Sequence, residues 1–228
     1  TGAIDIEYKN SYNFYSDGKE KKVMTEKEKM LSSRIYDTSD KELASLRTTA
    51  HRLCQLYNNT FEDEAEKREK ILDQLLPDRG ENVFFQGPIY FDYGMFTHIG
   101  KCFYANFNLT ILDCCDVTIG DNVLIGPNCS LVTPVHPLRY QDRNIRFKPD
   151  GTPFDYEFAK PITIGDNCWI ATNVTIIGGV TVGCGSVIGA GSVVTKDIPP
   201  HSLAAGNPCR IIREITEHDA IELQTELF

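Results

Sequence analysis

The chain has 228 residues, of which 41% are hydrophobic and 24% charged, and its formal net charge is -9. This composition is typical of a globular protein with one sizeable core. The acidic charge argues against a nucleic-acid partner and against a membrane surface rich in anionic lipid. No apolar run is long enough to span a membrane, and no signal-peptide pattern opens the chain. We therefore expect a cytoplasmic protein whose eight cysteines are free thiols.

The N-terminal third predicts a short extension followed by a helical cap. Residues 1–23 are polar and aperiodic, and they precede Met24, a plausible initiator, which suggests an upstream extension or vector residues. Residues 24–77 predict helices, because apolar residues recur there at steps of three and four, with Asp40 at a helix start and Pro77 as a stop. Such a cap would cover the open end of a solenoid. One predicted helical face comprises Met30, Leu31, Ile35 and Tyr36.

A six-residue period organises residues 78–199, and it is strictest between Ile164 and Pro199. This period predicts a parallel β-helix in which three hexads form one coil and coils stack about 4.8 Å apart. Gly, Asn and Asp beside the buried positions suit tight corners. The alternative, antiparallel strands joined by Gly turns, rarely keeps a strict six-residue step over six units. The residues that open the six hexads are Ile164, Ile170, Ile176, Val182, Ile188 and Val194.

The period is less regular before and after this stretch. In the earlier block it slips by two residues between Ile111 and Ile119, and the whole chain then counts as twelve hexads, or four coils. Residues 137–160 interrupt it and predict a loop extruded from the coil, which is a common place for function. Residues 200–228 predict a tail that ends in a polar helix from Glu214 onward.

His136 is the strongest candidate for catalysis. It lies where the last regular hexad of the earlier block meets the extruded loop, and an imidazole at such a junction can act as a general base. The other four histidines, at positions 51, 98, 201 and 218, form no pair at metal-ligand spacing. We therefore expect no metal, which disfavours a carbonic anhydrase of this fold. No nucleophile motif predicts a covalent acyl-enzyme.

Three cations follow the last coil: Lys196, Arg210 and Arg213. In an acidic protein, cations clustered at one end of a prism could bind a phosphorylated ligand. The alternative is a solvated charged surface.

Six segments resemble the maltose/galactoside O-acetyltransferases, and the similarity runs from about Met24 to Arg213. The resemblance implies a mainly β fold built on a left-handed parallel β-helix, and a homotrimer with active sites between subunits. It implies acetyl-CoA as the donor and a small sugar as the acceptor. The segments are Ala105–Asn108, Ile119–Val123, His136–Pro137, Lys160–Trp169, Gly189–Pro199 and Ala205–Arg213.

The resemblance also assigns residues. By similarity, His136 would be the general base, and Asn106 would steady the transition state. Trp169 would form a wall of the CoA pocket. Cys114 stands where galactoside enzymes have an acceptor-contacting acid, and Glu157 is the residue of the maltose type. The other positions expected to contact CoA are Ala171, Thr172, Ala190, Thr195, Lys196, Arg210 and Arg213. Those expected on the acceptor side are Asp37, Arg47, Asp92, Tyr104, Asn106, Asp113 and Glu157.

The expected function is transfer of an acetyl group from acetyl-CoA to a hydroxyl of a maltose-, glucose- or galactoside-type sugar by direct attack. A first alternative is a non-sugar hydroxyl acceptor, such as a serine or an antibiotic, which an acceptor panel would reveal. A second is a non-catalytic β-helix that serves as an assembly surface, for which CoA binding would be absent.

Overall fold

The computed structural model describes residues 23–221, which form a β-solenoid of about six turns with a few helices. The helices are α1 (Glu26–Leu31), α2 (Lys41–Asn58), α3 (Ala65–Leu75) and α4 (Tyr140–Arg143), and a 3-10 turn spans Glu217–Asp219. The strands are β1 (Tyr36–Asp37), β2 (Phe84–Phe85), β3 (Ile89–Phe91), β4 (Thr97–Ile99), β5 (Tyr104–Ala105), β6 (Leu109–Leu112), β7 (Val117–Ile119), β8 (Leu124–Ile125), β9 (Ser130–Val132), β10 (Pro134–Val135), β11 (Arg146–Phe147), β12 (Pro153–Phe154), β13 (Tyr156–Ala159), β14 (Ile162–Ile164), β15 (Trp169–Ile170), β16 (Thr175–Ile177), β17 (Thr181–Val182), β18 (Val187–Ile188), β19 (Val193–Val194), β20 (Ser202–Ala205) and β21 (Arg210–Glu214).

Three parallel sheets form the faces of the coil. Face 1 contains β4, β7, β14 and β17; face 2 contains β2, β5, β8, β15, β18 and β20; face 3 contains β3, β6, β9, β16 and β19. The six hexad openers from Ile164 to Val194 are at most 1% exposed, so each is stabilised by about 1.5–3 kcal/mol of side-chain burial. The predicted ladder is thereby confirmed.

The predicted number of four coils is wrong, because the coil begins earlier in the chain. Arg79 already bridges to Ile99, and β2 and β3 form strands of faces 2 and 3. The first coils are also longer: Ile99 pairs with Ile119, 20 residues later, whereas Ile164 pairs with Val182, 18 residues later. Aromatic residues in β2 and β3 and this extra length hide the hexad pattern at the start of the coil.

The extra residues lie at one corner of the prism, which we name the wide corner. It consists of the connections from face 3 to face 1, residues 92–96, 113–116 and 133–161. Gly94 closes the first of them with φ +71°, and a Cβ there would lie 2.3 Å from the Leu75 carbonyl oxygen. This contact requires glycine, and it joins the wide corner to the helical cap.

The corner between faces 2 and 3 is tight and takes left-handed backbone. Asn108, Asn128 and Asn173 occupy equivalent positions in successive coils, each with φ close to +60°. Asn tolerates this conformation better than most residues, which explains the recurring Asn of the sequence.

The helical cap follows the prediction except at its start. Asp40 caps α2 by accepting hydrogen bonds from the backbone of Glu42 and Leu43. The predicted helical face that continues to Tyr36 is wrong: α1 ends at Leu31, and Tyr36 belongs to β1. The physical reason is a long-range pairing, because β1 pairs antiparallel with β13 of the extruded segment.

The extruded segment folds back over the wide corner. Its strand β13 lies between β1 of the cap and β10, with Tyr36 opposite Glu157 and Val135 opposite Phe158. A second apolar core fills the space beneath it. This core consists of Met30, Tyr36, Leu43, Tyr93, Phe96, Cys114, Cys115 and Ala159.

The tail predicted to be helical from Glu214 onward differs at its start. Residues 202–205 and 210–214 form the antiparallel pair β20–β21, so Glu214 ends a strand, and a 3-10 turn follows at Glu217–Asp219. Strand β21 covers the open edge of face 2, which would otherwise expose unpaired backbone groups. Residues 1–22 of the predicted extension (1–23) and residues 222–228 of the tail lie outside the described residues. Within the described range, no helix has the length and apolarity needed to cross a membrane.

Candidate active site

His136 lies at the wide corner, immediately after β10, and its side chain is half exposed. Its Nε2 atom is 3.7 Å from Oε2 of Glu157, which is longer than a hydrogen bond. The nitrogen therefore lies within electrostatic range of the carboxylate without a direct hydrogen bond to it.

Glu157 is fixed from its other side. Its side chain is only 12% exposed, and its Oε1 atom accepts a hydrogen bond from the Tyr36 hydroxyl. Burial raises the pKa of Glu157, although the Tyr36 hydrogen bond and the nearby His136 oppose this shift. Burial also raises the pKa of Tyr36, so its hydroxyl stays protonated and remains the donor. Tyr36, which the sequence did not identify as a site residue, thus holds the carboxylate beside the imidazole.

Cys114 connects Glu157 to the next carboxylate of the site. Its thiol donates to Oδ2 of Asp92 at 3.5 Å. Burial, followed by the charges of Glu157 and Asp92, raises the pKa of this thiol. A neutral thiol is a poor nucleophile, which agrees with a reaction that forms no acyl-enzyme. The Oδ1 atom of Asp92 lies 3.6 Å from Nε2 of His51, a second site residue that the sequence did not single out.

Asp113 has no exposed surface, so the structure places it behind the site rather than in contact with an acceptor. It accepts hydrogen bonds from the Tyr93 backbone at 2.8 Å and from the Thr97 hydroxyl at 3.0 Å. Burial raises the pKa of Asp113 to about 6. Its observed role is to hold two connections of the wide corner together.

Asp37 and Arg47 lie on the cap side of the wide corner. Asp37 forms an ion pair of 2.6 Å with Lys148 of the extruded segment. Burial acts to raise the pKa of Asp37, but hydrogen bonds from Lys148 and Ser39 outweigh it and lower the pKa. Arg47 donates to the Tyr93 hydroxyl at 3.3 Å. The structure therefore joins the cap to the extruded segment at the wide corner.

The other predicted residues form a second group on face 2 and its corner with face 3. Asn106 is half-buried, and its Oδ1 atom accepts a hydrogen bond from the Phe107 backbone at 2.8 Å. Tyr104 stacks on Phe84 with ring centroids 5.9 Å apart. Among residues 23–221, no hydrogen bond, ion pair or ring contact joins this group to His136. A single chain therefore presents the two halves of the predicted site separately.

The residues expected along the CoA arm lie on successive coils. Trp169 is 52% exposed and is paired in register with Leu124 and Val187 on face 2. Ala171 is buried and Thr172 is half-buried at the corner that follows, and Ala190 is exposed one coil further on. The Gly191 N–H donates to the Thr172 carbonyl at 2.8 Å, which fixes the spacing of the two coils.

The residues of the predicted cationic end differ in their exposure and their partners. Thr195, Lys196 and Arg210 are exposed. A backbone hydrogen bond of 2.8 Å from Cys209 to Val193 joins the start of β21 to the strand that precedes Thr195. Arg213 instead forms an ion pair of 2.6 Å with Asp219, and this contact raises its pKa.

Comparisons with known proteins agree with this architecture. Residues 29–80 match the maltose acetyltransferase hexapeptide capping motif, and residues 161–196 match the bacterial transferase hexapeptide of six repeats. Residues 116–136 match the hexapeptide repeat of succinyl-transferase.

Three relatives illustrate the similarity. The galactoside O-acetyltransferase of Escherichia coli K12 is 44% identical over 192 residues, or 84% of this chain and 90% of that protein. A crystal structure of a maltose O-acetyltransferase from Clostridium difficile is 48% identical, with a TM-score of 0.77, and covers 85% of this chain and 99% of that one. A galactoside acetyltransferase in complex with coenzyme A is 44% identical, with a TM-score of 0.79, and covers 86% and 94% of the two chains. On this evidence the chain belongs to the maltose/galactoside O-acetyltransferase family and is an acetyl-CoA-dependent acetyltransferase of the hexapeptide-repeat class.

Proposed function

We propose that the protein transfers the acetyl group of acetyl-CoA to a hydroxyl of a sugar, with His136 as the general base. The observation that carries this proposal is the arrangement around His136 at the wide corner. Its half-exposed imidazole lies 3.7 Å from a carboxylate that Tyr36 holds in place. General-base assistance of this kind is worth about 10²–10⁴-fold in rate.

The reaction needs no covalent enzyme intermediate. The acceptor oxygen attacks the thioester carbonyl carbon while its proton passes to His136. The tetrahedral intermediate then collapses, the C–S bond breaks, and the leaving CoA sulfur takes the proton from the imidazolium. Glu157 stabilises the imidazolium while it exists, because opposite charges attract strongly in a partly buried site.

Asn106 is proposed to bind the oxyanion of the tetrahedral intermediate. Its Oδ1 atom is engaged by the Phe107 backbone, which leaves the side-chain NH₂ as the group available to a ligand. An amide donor aimed at a developing oxyanion contributes about 2.7–4 kcal/mol in other acyl transfers.

The separation of Asn106 from His136 within one chain supports a site completed by a second copy. Face 2 carries an apolar outer row that begins at Phe84 and includes Leu124 and Trp169, each at least 39% exposed. Contiguous exposed apolar rows commonly form protein interfaces. We propose a homotrimer in which the face-2 group of one subunit meets His136 of the next, with the left-handed coil that the resemblance implies.

The acceptor is proposed to be a neutral sugar of the maltose type. Carboxylates at Asp37, Asp92 and Glu157 surround the wide corner and can accept hydrogen bonds from several sugar hydroxyls. Glu157 is also the residue that distinguishes the maltose type from the galactoside type by resemblance. Two similar proteins are named for maltose and galactoside acceptors.

An acceptor panel with purified protein and acetyl-CoA tests the proposal. Glucose, maltose, a galactoside, a serine derivative and a hydroxylated antibiotic would be compared by CoA release. We expect acetylation of the sugars, with kcat lowered at least about 10²-fold in His136→Ala and nearly unchanged CoA affinity by calorimetry. Transfer only to a non-sugar acceptor would reject the sugar assignment, and near-native kcat in His136→Ala would reject the base.

A further inference from the structure

A pocket of about 360 Å³ lies between helix α2 and the outer side of face 3. Its size falls within the range of about 300–1000 Å³ that is usual for small-molecule sites. The helix contributes His51 and Gln55, the residue after it contributes Asn59, and the coil contributes Tyr90 and Leu112. None of the residues predicted from the sequence to bind donor or acceptor lies in this pocket except Asp92.

The walls of the pocket are held rigidly. Asn58 bonds the backbone of Ile89 through both ends of its amide, accepting from the N–H at 2.7 Å and donating to the carbonyl at 2.9 Å. This bidentate contact fixes the C-terminal end of α2 against β3. The pocket is therefore already formed before any ligand binds, which lowers the free energy needed to order it.

Asp92 connects the pocket to the proposed catalytic site. It lines the pocket and is also hydrogen-bonded to Cys114, which lies against the Tyr36–Glu157 pair. Leu112, also in the lining, pairs in register with Val132, the last residue of β9 before the segment that carries His136. One coil separates Leu112 from Val132, about 4.8 Å. A ligand that occupies the catalytic site could therefore continue into the pocket past Asp92.

The lining chemistry suits a sugar ring. Tyr90 is half exposed and offers an aromatic surface with a polar tip, and Leu112 adds apolar area. The exposed amides of Gln55 and Asn59 can donate and accept hydrogen bonds at once, as vicinal hydroxyls require. The lining contains no Lys or Arg, and its one imidazole, His51, already faces the Asp92 carboxylate at 3.6 Å, so the pocket suits a neutral ligand better than a phosphate.

We propose that this pocket binds the second sugar unit of a disaccharide acceptor, while the first unit is acetylated beside His136. The proposal rests on the proposed function. It predicts that the enzyme distinguishes a disaccharide from a monosaccharide by contacts with Tyr90 and Gln55, which lie outside the proposed catalytic machinery.

The test compares kcat/KM for glucose, maltose and 4-nitrophenyl glucoside in the wild type, Tyr90→Ala, Tyr90→Phe and Gln55→Ala. We expect maltose to exceed glucose by about 5- to 10-fold in the wild type. Tyr90→Ala and Gln55→Ala should reduce this ratio to about 2-fold or less while kcat/KM for glucose stays unchanged. Tyr90→Phe, which retains the ring, should keep most of the ratio. Gln74→Ala, an exposed glutamine on α3, is the matched control.

The possible failures are distinguishable. If the wild type acetylates no sugar at all, the proposed function fails. If glucose is acetylated but maltose is no better, or if the ratio survives both alanine variants, the second-unit pocket is rejected and the function stands. If Tyr90→Ala lowers kcat/KM for 4-nitrophenyl glucoside but not for maltose, the pocket binds an apolar group instead of a sugar, which also rejects the proposal.

Discussion

The Oε2 atom of Glu157 lies 3.7 Å from Nε2 of His136, although Glu157 belongs to β13 and His136 directly follows β10. The carboxylate is anchored by Tyr36, which belongs to the cap. Three separate parts of the chain, β1, β13 and the segment after β10, thus converge on one imidazole.

Removing the Glu157 charge should slow the chemical step more than it weakens substrate binding. We expect Glu157→Gln to lower kcat about 10-fold, which corresponds to about 1.4 kcal/mol of lost imidazolium stabilisation. The KM for acetyl-CoA should stay within about 2-fold. Steady-state kinetics check this, with Glu66→Gln on exposed α3 as the control. Tyr36→Phe should reproduce part of the loss; an effect confined to KM would show that Glu157 only binds the acceptor.

The cationic end should matter for the donor and not for the acceptor. Lys196→Ala and Arg210→Ala should each raise the KM for acetyl-CoA about 10-fold, since a charge-assisted hydrogen bond to phosphate is worth about 1.5–3 kcal/mol. The acceptor KM should hardly change. Arg213→Ala should have a smaller effect, because Asp219 already engages that guanidinium. Lys101→Ala, at an exposed lysine of an early coil, is the control. If the KM for acetyl-CoA is unchanged in all variants, Lys196 and Arg210 do not bind the donor.

Mixing two inactive variants tests whether the site is shared between subunits. When His136→Ala and Asn106→Ala chains are co-expressed in equal amounts, some interfaces pair an intact His136 with an intact Asn106 of the neighbour. Random assembly would restore roughly a quarter of the wild-type activity per chain. Separately purified variants combined without exchange should stay inactive. A co-expressed mixture with no recovery would place both residues in a site within one chain, and light scattering would report the number of subunits.

The buried Asp113 should make stability fall as pH rises. Its folded-state pKa of about 6 lies above the ordinary value of 3.8, so the folded chain holds this proton more tightly than the unfolded chain does. The associated stability is fully present below about pH 3.8 and is lost as the pH rises through about 6. The free energy of unfolding of Asp113→Asn, measured relative to that of the wild type, should therefore increase by on the order of 2–3 kcal/mol from pH 4 to pH 7.5.

Denaturant unfolding at a fixed protein concentration measures that difference, and both chains must be compared at each pH because other groups titrate as well. Asn can keep the contacts with Tyr93 and Thr97, since the Thr97 hydroxyl can accept as well as donate. A stability difference that is independent of pH would mean that the Asp113 carboxyl has an ordinary pKa.

The regular part of the fold could be predicted because one local rule repeats. Each hexad opener from Ile164 to Val194 meets the same environment, so its burial follows from its position in the period. The coil was harder to recognise in the first turns, where the six-residue period is less regular. Phe85 and Phe91 are buried one six-residue step apart, but they are aromatic where later hexads have Ile or Val, and Ile99 comes eight positions after Phe91.

The features that the sequence did not reveal depend on contacts between distant residues. Tyr36 reads as part of a helical face, yet it pairs with Glu157, 121 positions away. Glu214 reads as the start of a polar helix, yet it ends a strand, because Arg210–Glu214 pair along the open edge of β20. His51 gave no sequence signal, because only the fold brings it to Asp92. The two-residue slip between Ile111 and Ile119 was visible in the sequence, and it lies at the wide corner, where His136 is also found.

The wide corner has a consequence for how such enzymes can diversify. Connections as different as the five residues 92–96 and the 29 residues 133–161 leave face 3 and return to face 1 in the same register. The stacked scaffold therefore tolerates length changes there without a penalty to its core. Under the proposed function, insertions at this edge of the prism would change the acceptor side, while the surfaces proposed to bind the donor stay as they are.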